Sequence, residues 1–140
     1  MISFCGTPFS GWQRQARRPS VQQCLEEAAS SVFRHDVRVR GCGRTDAGVH
    51  ALAYVADFEA TTRMTPAEVV RALNSHLPPE IRVKMAWRAK PGFHSRFSAR
   101  SKTYRYLIAD RRTPFLLNAA LFVPPPLDMP AMKQAARYLT

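Results

Sequence analysis

The residue types best suited to chemistry lie in one short segment, Gly43-Arg44-Thr45-Asp46-Ala47-Gly48-Val49-His50. Glycines at both ends permit a tight backbone that presents Asp46 at a strand edge beside Arg44. A neighbouring arginine favours the ionised carboxylate, which is the form that a nucleophile or a general base requires. The structural alternative stays open, because Asp-Ala-Gly is also good turn chemistry and Asp46 would then bond only to its own loop.

Metal chemistry is not indicated by the spacing of the candidate ligands. His50 and Asp46 are only two ligands, four residues apart, and no zinc-binding pattern accompanies them. The three cysteines, Cys5, Cys24 and Cys42, are an odd number without C-x-x-C spacing. They predict buried thiols in a reducing compartment, with neither a disulfide framework nor a zinc site.

The charge balance points to a polyanionic partner. The 140 residues carry 21 Lys and Arg against 10 Asp and Glu, a formal net charge of +11 at pH 7. Basic residues concentrate in segment 82–112, where they can hold a phosphodiester backbone while interleaved aromatic faces stack on unpaired bases. The alternative is a solvated basic face over ordinary core aromatics. The aromatic residues of this segment are Trp87, Phe93, Phe97, Tyr104 and Tyr106.

Several classes of protein are excluded by length and hydropathy. With 46% hydrophobic residues, the chain can bury an ordinary core, which argues against intrinsic disorder. No apolar run approaches the roughly 18 residues of a membrane span, and the first residues lack a charged signal-peptide region. We therefore expect a soluble, cytoplasmic protein without a membrane partner.

Capping and periodicity predict the elements that position the loop. Capping boxes at Ser20 and Thr65 predict helices over 20–34 and 65–76. Apolar alternation predicts strands at 1–5, 37–40, 52–58, 81–87 and 102–109. The order β-α-β-β-α-β-β predicts an α+β, ferredoxin-like (RRM-like) fold, with a mainly antiparallel sheet and the helices on one face.

The composition of the chain changes after residue 112, where a Pro-rich stretch follows the basic segment. We expect a first domain over 1–112, a Pro-rich connector over 113–127, and the first helix of a truncated C-terminal domain over 128–140. Asp128 is the predicted N-cap of that helix. Its apolar stripe stops in mid-pattern, which predicts that a longer protein supplies its packing partner.

Five ordered motifs resemble the tRNA pseudouridine synthase A family. Residues 43–51 resemble the family signature, and 6–15 resemble its opening loop, in which Trp12 is either loop packing or a base platform. Ser20-Val21-Gln22 resembles the start of its first helix. Residues 93–99 resemble a tRNA-contacting segment, and Tyr104-Arg105-Tyr106 resembles a strand that carries an active-site tyrosine. The likeness spans residues 2–140.

This resemblance implies an isomerase that converts uridine to pseudouridine at positions 38–40 of the tRNA anticodon stem-loop, without cofactor or metal. It implies a homodimer, each subunit roughly twice the length of this chain. Asp46 aligns with the catalytic aspartate, Arg44 with a base-flipping residue and Tyr104 with a tyrosine that stacks on the target base. The implied RNA-binding residues are Phe93, His94, Ser95, Arg96 and Phe97.

Two departures from the family pattern bear on activity. The family opening usually reads Tyr-Asp-Gly-Thr, whereas this chain has Phe4-Cys5-Gly6-Thr7. The chain also corresponds to the N-terminal half alone, so we expect weak RNA binding and poor turnover in isolation. The alternative functions are a non-catalytic RNA-binding module that uses an open sheet face and segment 82–112, and a basic protein-interaction domain without preference for tRNA.

Overall fold

A computed structural model describes residues 1–139, with the side chain of Leu139 left out. Thr140, the last residue of the predicted C-terminal helix segment, lies outside the described residues. The chain divides into two compact units, Met1–Lys102 and Thr103–Thr140. This division does not test the connector expected at 113–127, which stays a prediction. Among residues 1–139, no helix combines the length and apolarity that a membrane crossing requires.

The first unit is built on a three-stranded antiparallel sheet. Its central strand, β1 (Ile2–Phe4), pairs with β3 (Ala51–Tyr54) on one side and β5 (Ile81–Val83) on the other. Along β1 and β5, buried residues alternate with more exposed ones. Because strand side chains alternate between faces, one face of this sheet is in the core and the other faces solvent.

A second antiparallel pair continues from the edge of this sheet. It joins β2 (Arg40–Gly41) to β4 (Ala56–Asp57). Only Val55 separates β4 from β3, and its carbonyl accepts a hydrogen bond of 3.0 Å from the Cys42 amide. The segment that carries the candidate chemistry, residues 43–50, therefore connects β2 to β3.

Helix α1 (Val21–Phe33) begins at the predicted cap, where the Ser20 hydroxyl accepts from the Gln23 amide at 3.3 Å. The reciprocal half of the predicted capping box is not formed, because the Gln23 side chain donates to Glu27 instead. The helix ends at Arg34, whose φ of 63° is left-handed. Its inward face joins the sheet core through the buried residues Val21, Leu25, Ala28 and Ala29.

Helix α2 (Pro66–Asn74) carries the complete capping box that the sequence predicts. The Thr65 hydroxyl accepts from the Glu68 amide, and the Glu68 carboxylate accepts from the Thr65 amide at 2.8 Å. Val69 and Leu73 are buried in the same hydrophobic core as β1 and α1. The α+β class with mainly antiparallel pairing is thus as predicted.

Three predicted strands are shorter than expected. In place of a strand at 37–40, the Val37 amide donates to Ser30 Oγ and the Val39 amide to Glu26 Oε1, so side chains of α1 take the bonds a neighbouring strand would take. Strand β5 ends at Val83, because β1 extends no further than Ile2. No strand forms over 102–107.

Residues 103–139 of the second unit form a short parallel strand pair, one α-helix and two short 3-10 helices, Pro114–Leu116 and Arg137–Leu139. Strand β6 (Ile108–Ala109) pairs with β7 (Leu121–Phe122), and helix α3 (Met129–Ala136) begins at Asp128, whose carboxylate accepts from the Ala131 amide at 2.9 Å. The predicted cap is thus confirmed. No residue of α3 is buried.

Candidate functional site

The opening loop that follows β1 supports the segment 43–50 through its backbone. The Trp12 amide donates to the Thr45 carbonyl at 3.0 Å, and the Gly48 amide donates to the Phe9 carbonyl at 3.3 Å. Gly11 has a φ of +89°, and a Cβ at this position would overlap the Thr45 carbonyl oxygen. Close approach of the two loops therefore requires glycine at position 11.

The base of the segment is held by a buried aromatic pair. Trp12 and Tyr54 stack with ring centroids 4.4 Å apart, and the Tyr54 hydroxyl donates to the Gly43 carbonyl. A Cβ at Gly41 would run into the Tyr54 hydroxyl and the Trp12 ring. Burial raises the pKa of the Tyr54 phenol, so this group remains a hydrogen-bond donor at neutral pH. Trp12 is thus loop packing, and Tyr54 was not singled out by the sequence.

Exposure alternates along the segment. Gly43 and Thr45 are partly buried against the supporting residues, whereas Arg44 and Asp46 are exposed. The Asp46 carbonyl accepts from the Val49 amide at 3.2 Å, which closes a turn. The Asp46 backbone thus makes the expected turn while its carboxylate remains open to solvent. A guanidinium and a carboxylate two residues apart are therefore presented together.

Two further features lie at this segment. The Thr45 hydroxyl is buried and has no hydrogen-bond partner. Lys102 brings its Nζ close to the start of the segment, since a Cβ built on Gly43 would be 2.8 Å from it. Two cationic residues therefore lie near Asp46: Arg44 on the segment itself, and Lys102, whose Nζ is close to Gly43.

The segment 93–97 is anchored by Ser95, which is 2% exposed. Its amide donates to Asp57 Oδ1 at 2.8 Å and its hydroxyl donates to the Arg40 carbonyl at 3.1 Å. The Arg40 guanidinium lies 2.6 Å from Asp57 Oδ2. Burial by itself raises the pKa of the Asp57 carboxyl, but hydrogen bonds from Ser95 and Arg40 outweigh burial and leave this pKa below its ordinary value.

Three neighbours of Ser95 form a cluster in which Arg96 and Phe97 are exposed and His94 is half-buried. Phe97 is 76% exposed, its ring centroid lies 4.4 Å from that of His94, and the Arg96 guanidinium lies 5.6 Å from it. Phe93 is half-buried. The Arg40 carbonyl that holds Ser95 is three residues before Gly43, a chain distance of at most about 11 Å. The anchor of this cluster and the start of the segment 43–50 are therefore close in space.

Tyr104 belongs to the second unit and is 73% exposed. Its expected place beside Asp46 stays a prediction. In the part of the chain that the structure describes, no group of three or more His, Cys, Asp or Glu side chains could hold a metal. A cavity of about 820 Å³ is lined by residues of α1, α2 and the segment 85–93, and none of residues 43–50 lines it.

These features define a basic α+β domain that presents a carboxylate and a guanidinium on one supported loop. Residues 1–98 match the model of the tRNA pseudouridine synthase family. The chain belongs to this family, which confirms the resemblance found in the five motifs.

Individual relatives give the same result along nearly the whole chain. It is 45% identical to tRNA pseudouridine synthase A of Methylacidiphilum infernorum, with 97% of this chain and 54% of the relative covered. It is 45% identical to the protein of that name from Rhodopseudomonas palustris, with 99% and 58% covered. It is 42% identical to the protein of that name from Bdellovibrio bacteriovorus, with 99% of this chain and 55% of the relative covered. The chain thus spans about half the length of the curated relatives it matches.

Proposed function

We propose that this chain is the N-terminal half of a tRNA pseudouridine synthase and that Asp46 is its catalytic residue. The observation that carries the proposal is the exposed Asp46, two residues from the exposed Arg44 on a backbone fixed by the opening loop. An ionised carboxylate in this position is a suitable nucleophile toward a nucleoside. The chemistry is an isomerisation, so it requires no oxidant, reductant or second substrate.

In the proposed reaction, the Asp46 carboxylate attacks the target nucleoside and the bond between the ribose C1′ and uracil N1 breaks. The detached uracil turns within the site and C5 bonds to C1′. The bond between Asp46 and the nucleoside breaks, which releases the carboxylate, and the C5 proton is lost while N1 gains one. A detached base must be held while it turns, which an aromatic wall achieves better than open solvent. We assign this role to Tyr104, in keeping with the family resemblance.

Arg44 is the proposed base-flipping residue. A uridine inside a stem is out of reach, and extruding it costs a few kcal/mol because its stacking is lost. Arg44 is exposed and two residues from Asp46. Its long side chain can fill the vacated position while its guanidinium pairs with a phosphate.

The segment 93–97 is the proposed RNA contact next to the site. Its exposed members, Arg96 and Phe97, suit this role, because Arg96 pairs with phosphate and the Phe97 ring offers a stacking surface. The half-buried His94 ring packs against the Phe97 ring. Phe93 contributes its exposed part. The buried Ser95 acts by holding the segment on β2 and β4.

The finer features of the proposal follow the family resemblance. We infer a ferredoxin-like sheet of order β5-β1-β3/β4-β2, since Val55 alone interrupts the third strand. We also infer that the substrate is the anticodon stem-loop at positions 38–40, that the complete protein is a cytoplasmic homodimer, and that it uses no cofactor.

A non-catalytic RNA-binding module is the second candidate, and the solvent-facing side of the sheet favours it. Arg82 and Leu52 are exposed on that side, and they offer RNA an open surface outside the loop 43–50. A pure binder gains nothing from the carboxylate of Asp46, so the two candidates differ in what this residue does.

The test is pseudouridine formation on an unmodified tRNA transcript, detected by carbodiimide adducts and primer extension. A full-length relative is the positive control, and its C-terminal half is added to this chain in a parallel arm. We expect a stop in the anticodon arm that Asp46→Ala abolishes without loss of tRNA binding. Asp36→Ala removes another exposed carboxylate and should leave the stop unchanged.

Two results would contradict the proposal. One is a stop that persists in Asp46→Ala. The other is tRNA binding without a primer-extension stop, both for the chain alone and with the C-terminal half added, while the full-length relative is active. This result would support the binding module.

A further inference from the structure

We infer that Tyr54 is a positioning residue for Asp46 and Arg44, acting through the bond from its hydroxyl to the Gly43 carbonyl. The inference rests on the proposed function, and it assigns a role to a residue that no motif marks. Tyr54 lies on β3, downstream of the loop in sequence, yet its hydroxyl reaches the residue at which the loop begins.

Tyr54 is fixed on three sides. Its ring stacks on Trp12 at 4.4 Å with an interplanar angle of 29°, and meets the Phe4 ring edge-on at 5.6 Å. Its backbone pairs with Ile2 of β1. It is 5% exposed. A side chain held this way keeps its hydroxyl in one place without further ordering cost.

The hydroxyl makes contacts with both backbone groups of Gly43. It donates to the Gly43 carbonyl, and the Gly43 amide approaches it at 3.4 Å. The next fixed point along the chain is the Thr45 carbonyl, which accepts from the Trp12 amide at 3.0 Å. Arg44 therefore lies between two fixed backbone groups: the Gly43 carbonyl, which Tyr54 holds, and the Thr45 carbonyl, which Trp12 holds. Asp46 is the next residue after Thr45.

Loss of the hydroxyl alone has a specific consequence. Phenylalanine at position 54 keeps the ring stack but leaves the Gly43 carbonyl without its donor. The loop then loses its hold at Gly43, while the hold at Thr45 remains. A displacement of about 1 Å at a catalytic group can cost 100-fold in rate, so the effect should fall on the chemical step more than on RNA affinity.

The experiment compares the full chain with Tyr54→Phe and with Tyr138→Phe, a matched loss of one hydroxyl from an exposed tyrosine. Three quantities are measured: amide hydrogen exchange of a peptide covering residues 43–50, the single-turnover rate of pseudouridine formation, and the Kd for unmodified tRNA. The Tm of each protein reports global folding.

For Tyr54→Phe we expect exchange in 43–50 to accelerate about 10-fold and the single-turnover rate to fall about 10- to 100-fold. The Kd should stay within about twofold and the Tm within about 5 °C. Tyr138→Phe should match the unmutated chain in all four. A merely structural role would instead lower the Tm and raise exchange throughout the first unit.

Unchanged exchange in 43–50 would overturn the inference, as would faster exchange with an unchanged rate. If the unmutated chain forms no pseudouridine even with the C-terminal half of the relative added, while the full-length relative is active, the proposed function fails. The exchange measurement still decides whether Tyr54 holds the loop. If the chain is active but Asp46→Ala is active as well, the catalytic assignment fails independently of Tyr54.

Discussion

Single glycines decide how closely the opening loop approaches the loop that carries Asp46. At Gly6 a Cβ would overlap the Val49 carbonyl, and at Gly11 it would overlap the Thr45 carbonyl. At both positions the obstacle is backbone, which cannot swing aside as the end of a side chain can. The exposed pair Arg44 and Asp46 therefore depends on neighbours that carry no chemistry of their own.

Gly11→Ala should lower the free energy of unfolding by about 3 kcal/mol or more, because strain at a φ of +89° adds to the overlap with the Thr45 carbonyl. Gly92→Ala is the matched control: its φ is +78°, but no atom lies within 4 Å of the added Cβ. The control should lose only about 1 kcal/mol. Equal losses in urea unfolding would show that the close approach at Gly11 contributes nothing.

Thr45→Val should leave the free energy of unfolding unchanged or raise it. The Thr45 hydroxyl is buried without a partner, so an isosteric apolar group removes a desolvation cost of about 1–3 kcal/mol. Thr65→Val is the contrast, since the Thr65 hydroxyl caps α2 by accepting from the Glu68 amide at 3.3 Å, and its loss should cost about 1 kcal/mol. If thermal unfolding showed a comparable loss of stability for Thr45→Val and Thr65→Val, the Thr45 hydroxyl would not be unpaired in the folded protein.

At the level of elements, β2 and β4 hold the segment 93–97 through one polar junction. Asp57 of β4 accepts from the Ser95 amide and from the Arg40 guanidinium of β2, and the Arg40 carbonyl accepts from the Ser95 hydroxyl. The exposed Arg96 and Phe97 flank this buried residue. The junction therefore fixes the proposed RNA-contacting segment, which has no regular structure of its own.

Asp57→Asn should cost about 2 kcal/mol of unfolding free energy at pH 7, with a pH dependence of known sign. The pKa of Asp57 is lowered by folding, so its contribution is present above the unfolded value near about 4. It is lost as the pH falls through the lower folded-state pKa. The difference between the two proteins should therefore shrink below about pH 4 in urea unfolding. A difference that is constant from pH 7 to pH 3 would contradict the assignment.

For the whole molecule, net charge should govern the proposed association with RNA. A net charge of +11 gives long-range attraction to a polyanion, and counterion release makes that attraction steeply dependent on salt. This term carries no information about which uridine is modified. Under the proposed function, site choice comes from the exposed groups around Asp46 and from the part of the relatives that this chain does not cover, since the chain spans about half of their length.

Lys102→Gln should reduce the slope of log Kd for tRNA against log salt by about 1, because one phosphate contact is lost at the loop. Asp46→Asn should leave the affinity and slope nearly unchanged, since the role proposed for Asp46 is chemical. Lys133→Gln, the same change on the exposed α3, controls for net charge alone. If Lys102→Gln and Lys133→Gln alter the slope equally, Lys102 acts through net charge and not through its place beside Gly43.

The sequence determined the features that depend on local interactions. Both helices of the first unit begin at their predicted caps, because capping joins residues three apart along the chain. The cap at Asp128 was equally readable. Five ordered motifs identify the family from the sequence, and one of them is the loop that carries Arg44 and Asp46.

The tertiary structure alone decided which strands find partners and which site residues are buried. A strand needs a hydrogen-bonding neighbour that is distant in sequence, and alternation alone does not supply one. The alternation at Val37 and Val39 therefore predicted a strand, whereas the amides of both residues donate to side chains of α1. Ser95 has the local sequence of its exposed neighbours, but its burial depends on Asp57 and Arg40. The contact between Tyr54 and Gly43 likewise spans eleven residues, and it exists only because β3 returns alongside the loop that it follows.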